Sequence, residues 1–334
     1  MTVRIADTIV PERFDAYMFK NTMQINAFYQ QGVLRSDGDL AKKLAGGGRT
    51  FNVPFWKDLD DEESDTATDD PDDFATPGGI NTGRDVALRQ VRTRGWSTMN
   101  LTAELAGADP MGRISSRVAA YWSRQFDKIA IATIRGVFAD NIANDSGDMV
   151  SNISMDTGGT PAVTNLFSAE AVMDAAQTMG DAKRELKLIV MHSVVHTRLA
   201  KQDLIDFRPD STGKLWHDYY EGFRVHVSDN VPVVQGANQT MYHTYLFGSD
   251  VFGWAESPVA KPSEVESEPS AGAGMGMETL WTRRQFAMHP YGIKWTDANV
   301  GGEFPTNAEL ALAENWDRVY PERKQIPAAL LITN

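Results

Sequence analysis

The chain has 334 residues, 42% of them hydrophobic and 10% aromatic, and a formal net charge of -13. This composition supports a folded core. It disfavours tight binding to nucleic acid or anionic membranes, where Lys and Arg supply the affinity, but not the enclosing of DNA behind a wall that repels it. The absence of Cys excludes disulfides, thiolate metal sites and a cysteine nucleophile. No basic-then-apolar leader opens the chain and no apolar run is long enough for a bilayer span.

Residues 1–48 read as an N-terminal arm with short helices: Phe14, Tyr17 and Met18 recur at helical spacing, and Gly46, Gly47 and Gly48 form a hinge. Thr50 to Trp56 alternates and is rich in aromatic and β-branched residues, so it predicts a strand, with Pro54 placing it at an edge. Residues Asp58 to Asp73 (DLDDEESDTATDDPDD) follow, with ten acids and neither Lys nor Arg. Such a segment cannot bury enough apolar surface to order itself, and a compact monomer rarely needs a loop so long. It reads as an arm reaching toward another copy of the chain. A turn at Pro77 to Gly79 and an extended stretch from Val86 to Leu105 complete a long hairpin.

Asp109 and Pro110 cap and open a helix. Ile114, Val118, Trp122, Phe126, Ile129, Thr133 and Val137 recur at three and four, which carries the helix to Ile142 over roughly 45 Å. A loop rich in Gly, Ser, Asn and Asp spans residues 143–165, and Ser168 caps a further helix to Met179. Leu186 to Met191 predicts a buried strand, Ser193 to Leu204 a helix, and Phe223 to Ser228, Tyr242 to Gly248 and Val251 to Glu256 strands. Ser257 to Met277 reads as a loop. Strand character returns at Thr279 to His289 and Gly292 to Thr296, a helix capped by Thr306 runs toward Tyr320, and Ile326 to Thr333 is a last strand.

Candidate chemistry is sparse. His192 and His196 stand four apart on a predicted helix, the spacing of two zinc ligands, but Ser193 occupies the place of the expected Glu. A metal-dependent hydrolase is the reading they would support; a partly buried surface pair is the plainer one. GAGMGM at Gly272 to Met277 is Gly-rich without a strand before it and a helix after it, so it reads as a loop. The acidic run lacks the spacing of a calcium loop. Arg84, Arg89, Arg92 and Arg94, with Trp96 nearby, fit pairing with carboxylates better than a nucleic-acid site. Trp281, Phe286, Tyr291 and Trp295 read as sheet core. No acid, base and nucleophile converge, and no catalytic, cofactor or metal residue is assigned.

The order of elements resembles the major capsid protein of tailed bacteriophages, an α+β chain of the Hong Kong 97-type fold. HPYGIKW at His289 to Trp295, PTNAELALAENWDRVY at Pro305 to Tyr320 and the closing KQIPAALLITN resemble the ends of one phage coat-protein subgroup. The resemblance implies an N-terminal arm at 1–48, an extended loop (E-loop) at 49–107 and a peripheral domain from 108–164 and 275–334 with the long helix as its spine. It implies an axial domain with its connecting loop at 165–274. It further implies assembly into pentamers and hexamers of an icosahedral head shell that encloses DNA without specific binding, in the virion and without a membrane. No long pro-segment precedes the arm, so a scaffolding protein would be separate, alongside a portal and a decoration protein. A cellular nanocompartment of the encapsulin type shares the fold and is the rival reading.

Within that frame the E-loop tip residues Asp60, Asp61, Glu62, Glu63, Asp69, Asp70, Asp72 and Asp73 are expected to contact a neighbouring subunit. Candidate basic partners are Arg113, Arg117 and Arg124 on the spine helix, or Arg283 and Arg284.

Overall fold

The computed structural model describes residues 33–59, 63–70, 72, 74, 77–106, 110–209 and 216–334. Most of the expected arm therefore lies outside the described residues. Its end does not: Val33 and Leu34 are buried, and strand β1 (Leu34–Ser36) pairs in parallel with a strand more than two hundred residues later. Asp37 caps helix α1 (Gly38–Ala45) by accepting from the amides of Asp39 and Leu40. Leu40 and Leu44 turn inward from α1 and fasten it to the body.

Strands β2 (Thr50–Trp56) and β3 (Thr82–Leu88) form a two-stranded antiparallel ribbon, in register from Thr50–Leu88 to Trp56–Thr82. The expected return strand is broken at Arg89. Strand β4 (Gln90–Met99) leaves the ribbon and joins the body, and residues expected to continue it form helix α2 (Asn100–Ala106). NLTAELA contains good helix formers, which the strand reading passed over.

Helix α3 (Pro110–Asn144) has 35 residues, about 52 Å at 1.5 Å per residue. Pro110 opens it, as expected for a residue with no amide to leave unpaired. Strand β5 (Val150–Asn152) interrupts the expected loop. Ser168 caps helix α4 (Ala169–Gln177) through the Ala171 amide. Strand β6 (Leu186–Met191), helix α5 (Ser193–Lys201) and strands β7 (Asp206–Pro209), β8 (Trp216–Tyr220), β9 (Phe223–Val227), β10 (Val233–Gln235) and β11 (Thr240–Gly248) follow. Strands β12 (Phe252–Ser257), β13 (Ser263–Glu268), β14 (Met277–Pro290) and β15 (Ile293–Trp295), helix α6 (Asn307–Leu310) and strands β16 (Trp316–Arg318) and β17 (Ala328–Thr333) complete the chain.

Two larger sheets result. In the first, β14 is the axis: β12 and β13 pair along one edge, β4 along the other, and β1 lies outside β12. The second runs β5-β17-β11-β6-β9-β8-β7, with β10 also on β11. One expectation is corrected here. The segment 257–277 is not all loop, because β13 adds to β14. The chain re-enters the first sheet at β12, and β17 sits inside the second sheet between β5 and β11. These pairings join residues far apart in sequence, where local patterns carry no signal.

Helix α3 packs against both sheets and supplies more of their shared core than any other element. Phe126 packs edge-on to Trp254 and Phe286 with centroids 5.0 Å away in each case. The buried indole of Trp122 donates to Thr282 Oγ1 at 3.1 Å. Each such aromatic side chain contributes about 1.5–3 kcal/mol by leaving water. Of the four aromatics expected in the sheet core, Phe286 and Trp295 are buried, Tyr291 is half-buried, and Trp281 is exposed and donates to Glu266.

The expected helix from Thr306 to Tyr320 shrinks to the single turn of α6. Thr306 and Glu309 form a capping box. The Asn315 side chain then donates to the carbonyls of Asn299 and Glu309, and Trp316 turns inward to pair with Trp295 across β15 and β16. Tertiary contacts override the local helical preference.

Candidate assembly interface

The root of the β2–β3 ribbon is fixed by polar contacts. Asp85 on β3 is 2% exposed; Oδ1 accepts from the Val86 amide and Oδ2 from the Gly292 amide at 3.1 Å. His289 Nε2 comes within 2.8 Å of Asp85 Oδ2, though not along a hydrogen-bond direction. Lys43 on α1 donates to the Asn52 carbonyl on β2, and Arg49 pairs with Asp297 at 2.5 Å. Arg89, where β3 ends, donates to the Leu44 carbonyl at 2.7 Å and to the Gly46 carbonyl. It thereby clasps one end of the Gly46, Gly47, Gly48 segment. Gly48 has φ 104°, a conformation that a side chain would strain.

Among the described residues the ribbon has no third strand, and it meets the body through Phe55, edge-on to Tyr320 with centroids 4.8 Å apart. A lone two-stranded hairpin is marginal in water. Yet Trp56, Leu59, Phe74 and Ile80 are all exposed at its far end. Exposed large apolar groups in a cluster mark an interaction surface. Among the expected tip acids, Glu63, Asp69, Asp70 and Asp72 are exposed, while Asp60, Asp61, Glu62 and Asp73 lie outside the described residues. Strand character and acidity were legible in the sequence; the apolar component of the tip was missed, although its four residues are visible there.

The candidate basic partners separate into two groups. Arg113, Arg117 and Arg124 are exposed on α3. Arg283 and Arg284 are engaged within the chain: Arg283 donates to the Lys261 carbonyl and Glu264, and Arg284, 7% exposed in its side chain, lies 3.6 Å from Glu256. Burial holds the Glu256 carboxyl above its usual range, with the Arg284 charge opposing that shift.

Sequence reasoning also missed Asp127, next to this basic face. Its Oδ1 is buried with no hydrogen-bond partner among the described residues, and burial pushes the carboxyl up to about 6. The folded-state value is raised above the unfolded one, so folding is penalised once pH rises through that window and not below about 4. Asp127→Asn is therefore expected to stabilise the unassembled subunit by about 1–2 kcal/mol at pH 7 and to leave it unchanged near pH 4. Urea unfolding at the two pH values measures this; equal stabilisation at both would contradict the burial account.

The remaining candidates resolve into structure. His192 is the cap of α5 rather than a residue on its face: Nδ1 accepts from the Val194 amide. His196 lies 2.9 Å from Asp218. The two histidines thus serve different contacts, and no cluster suited to a metal occurs among the described residues. The Gly272 to Met277 segment links β13 to β14, two antiparallel strands, through residues with positive φ. Arg92 donates to Asn307, and Arg84 and Arg94 are exposed. No helix among the described residues is long and apolar enough to cross a membrane.

A body of two sheets packed on one long helix, carrying a separate two-stranded ribbon, is the architecture of Hong Kong 97-type phage shells. The structure resembles the capsid asymmetric unit of cyanophage Pam1 (TM-score 0.57, 11% identity, covering 90% of this chain and 88% of that one). It resembles the capsid of Ralstonia phage GP4 to the same degree (TM-score 0.57, 10% identity, covering 93% and 90%). Sequence carries the assignment further. The Gp13-like family, major capsid protein 13-like, matches residues 110–329. The chain is also 40% identical over 324 residues to the major capsid protein of Bacillus phage SPP1, spanning 96% of this chain and 95% of that protein. The chain therefore belongs to the major capsid protein 13-like family. It is a structural component of a tailed-phage virion shell, not an enzyme, and neither the nanocompartment nor the hydrolase reading is favoured.

Proposed function

We propose that this major capsid protein closes its shell by laying the β2–β3 ribbon across an adjacent copy. Residues 49–107 act as the E-loop, 165–274 approach the capsomer axis, and 108–164 with 275–334 form the periphery. One chain then tiles pentamers and hexamers. The Gly46, Gly47, Gly48 hinge and the turn at Pro77 to Gly79 absorb the difference in angle while the body keeps its shape. Many individually weak contacts sum to a stable shell. A separate scaffolding protein, a portal and a decoration protein complete the head, and DNA is enclosed without specific binding.

The observation that carries this reading is the apolar end of the ribbon, where Trp56, Leu59, Phe74 and Ile80 stay exposed in the isolated subunit. Burying them against a neighbour would recover roughly 1.5–3 kcal/mol for each. Replacing residues 58–79 with a short Gly-Ser turn is expected to leave a folded subunit, judged by circular dichroism, that yields no shells in negative-stain microscopy. Uniform shells from that variant would overturn the reading.

A further inference from the structure

Four cations on α3, Arg113, Arg117, Arg124 and Lys128, are exposed, and none forms an ion pair among the described residues. Their spacing of four, seven and four places them within about 60° of arc, in one row about 22 Å long. A row of like charges on one helix repels itself, and the chain carries a net charge of -13 with acids available for pairing. The row is nevertheless left unneutralised. Elsewhere several cations are matched: Arg283 to Glu264, Arg284 to Glu256, Lys294 to Asp317, Arg318 to Asp148 and Lys324 to Asp181. Arg84, Arg94 and Lys201 are exposed without an ion pair among the described residues, but they stand singly rather than in a row.

The opposite surplus lies at the ribbon tip. Asp58, Glu63, Asp65, Asp69, Asp70 and Asp72 are all exposed, and no ion pair among the described residues joins any of them to a cation. The eight residues 63–70 reach at most about 26 Å when extended, enough to lie along the row. Among the described residues the two surpluses do not meet within one chain. We infer that the Arg113, Arg117, Arg124 and Lys128 row receives the acidic tip of a second copy. This rests on the ribbon reading above and names its receiving surface. It selects the α3 residues over Arg283 and Arg284, and it adds Lys128. Contacts of this kind fix register and speed encounter more than they add affinity, and they weaken as salt screens them.

The test uses the full chain with all four residues changed to Glu, alongside a second chain in which Asp58, Glu63, Asp65, Asp69, Asp70 and Asp72 become Lys. Circular dichroism first establishes that each subunit is folded. Each variant alone is expected to give roughly tenfold fewer shells than wild type at about 0.01 M salt, the gap narrowing toward about 1 M. One chain carrying both sets of changes is expected to recover shells, because the complementarity is restored with reversed sign. If wild type forms no shells even when co-expressed with the other head genes of its phage, the ribbon reading itself fails. If wild type forms shells and the row variant matches it across the salt series, only the present inference fails. A row variant that assembles normally but loses binding to a 20-base-pair duplex would also overturn it and assign the row to DNA.

Discussion

Asp85→Ala is expected to destabilise the unassembled subunit by about 3–5 kcal/mol, the scale of breaking a buried charged contact from one side. The carboxylate accepts from the amides of Val86 and Gly292, and the His289 ring lies 2.8 Å away without hydrogen-bond alignment. Each amide left unpaired in a dry site costs about 1–3 kcal/mol. The position also gives the loss a direction. Asp85 lies on β3 opposite Val53, while Gly292 and His289 belong to the body, so the contact joins ribbon to body. Global unfolding should therefore be preceded by loosening of the ribbon root, because local openings draw on the contacts they break. Limited proteolysis should cut the variant near the ribbon sooner than wild type. Asp85→Asn keeps one oxygen acceptor and the shape, and should lie between the two. An Ala variant within 1 kcal/mol of wild type in urea unfolding, with unchanged proteolysis, would show that the contact does not anchor the ribbon.

How much of this was legible beforehand follows the range of each interaction. β2 and β6 fall on the expected residues because alternation in TFNVPFW and the apolar run LKLIVM are local properties. The spine helix is legible for the same reason, and Pro110 marks its start. Strand partners were not legible. β17 is apolar enough to identify as a strand, but nothing in ALLIT says that it inserts between β5 and β11. Asp85 reads in sequence as an ordinary polar residue of a hairpin, since its partners come from the far end of the chain. The assembly surface divides in the same way. Its acidity is a compositional fact, whereas the engagement of Arg283 and Arg284 depends on Glu264 and Glu256, brought alongside by β13 and β12. Lys128 joins the row only once its exposure is known.

Gly136→Ala should destabilise the subunit by about 2 kcal/mol or more, against the sign that helix propensity alone gives. Gly136 lies inside α3, where Ala is better than Gly by about 1 kcal/mol. In an exposed helix the substitution would be stabilising. Here the helix is closely approached: a Cβ on Gly136 would overlap the Leu310 carbonyl and the Trp316 indole. Neither neighbour can step aside cheaply. The Leu310 carbonyl accepts from Trp316 Nε1 at 2.8 Å in a buried site, and Trp316 is held edge-on to Trp295 with centroids 5.0 Å apart. Relief requires moving α6 away from α3, which breaks that hydrogen bond and opens the joint between the long helix and the C-terminal segment. Forced overpacking of this kind costs typically about 1–3 kcal/mol, and more where backbone must shift. The balance of the two effects is measurable as the urea midpoint of the unassembled subunit. Near-ultraviolet circular dichroism from the Trp295–Trp316 pair should change with it. A midpoint at or above wild type with an unaltered Trp signal would mean that propensity wins and that the close approach at Gly136 is not a constraint on the fold.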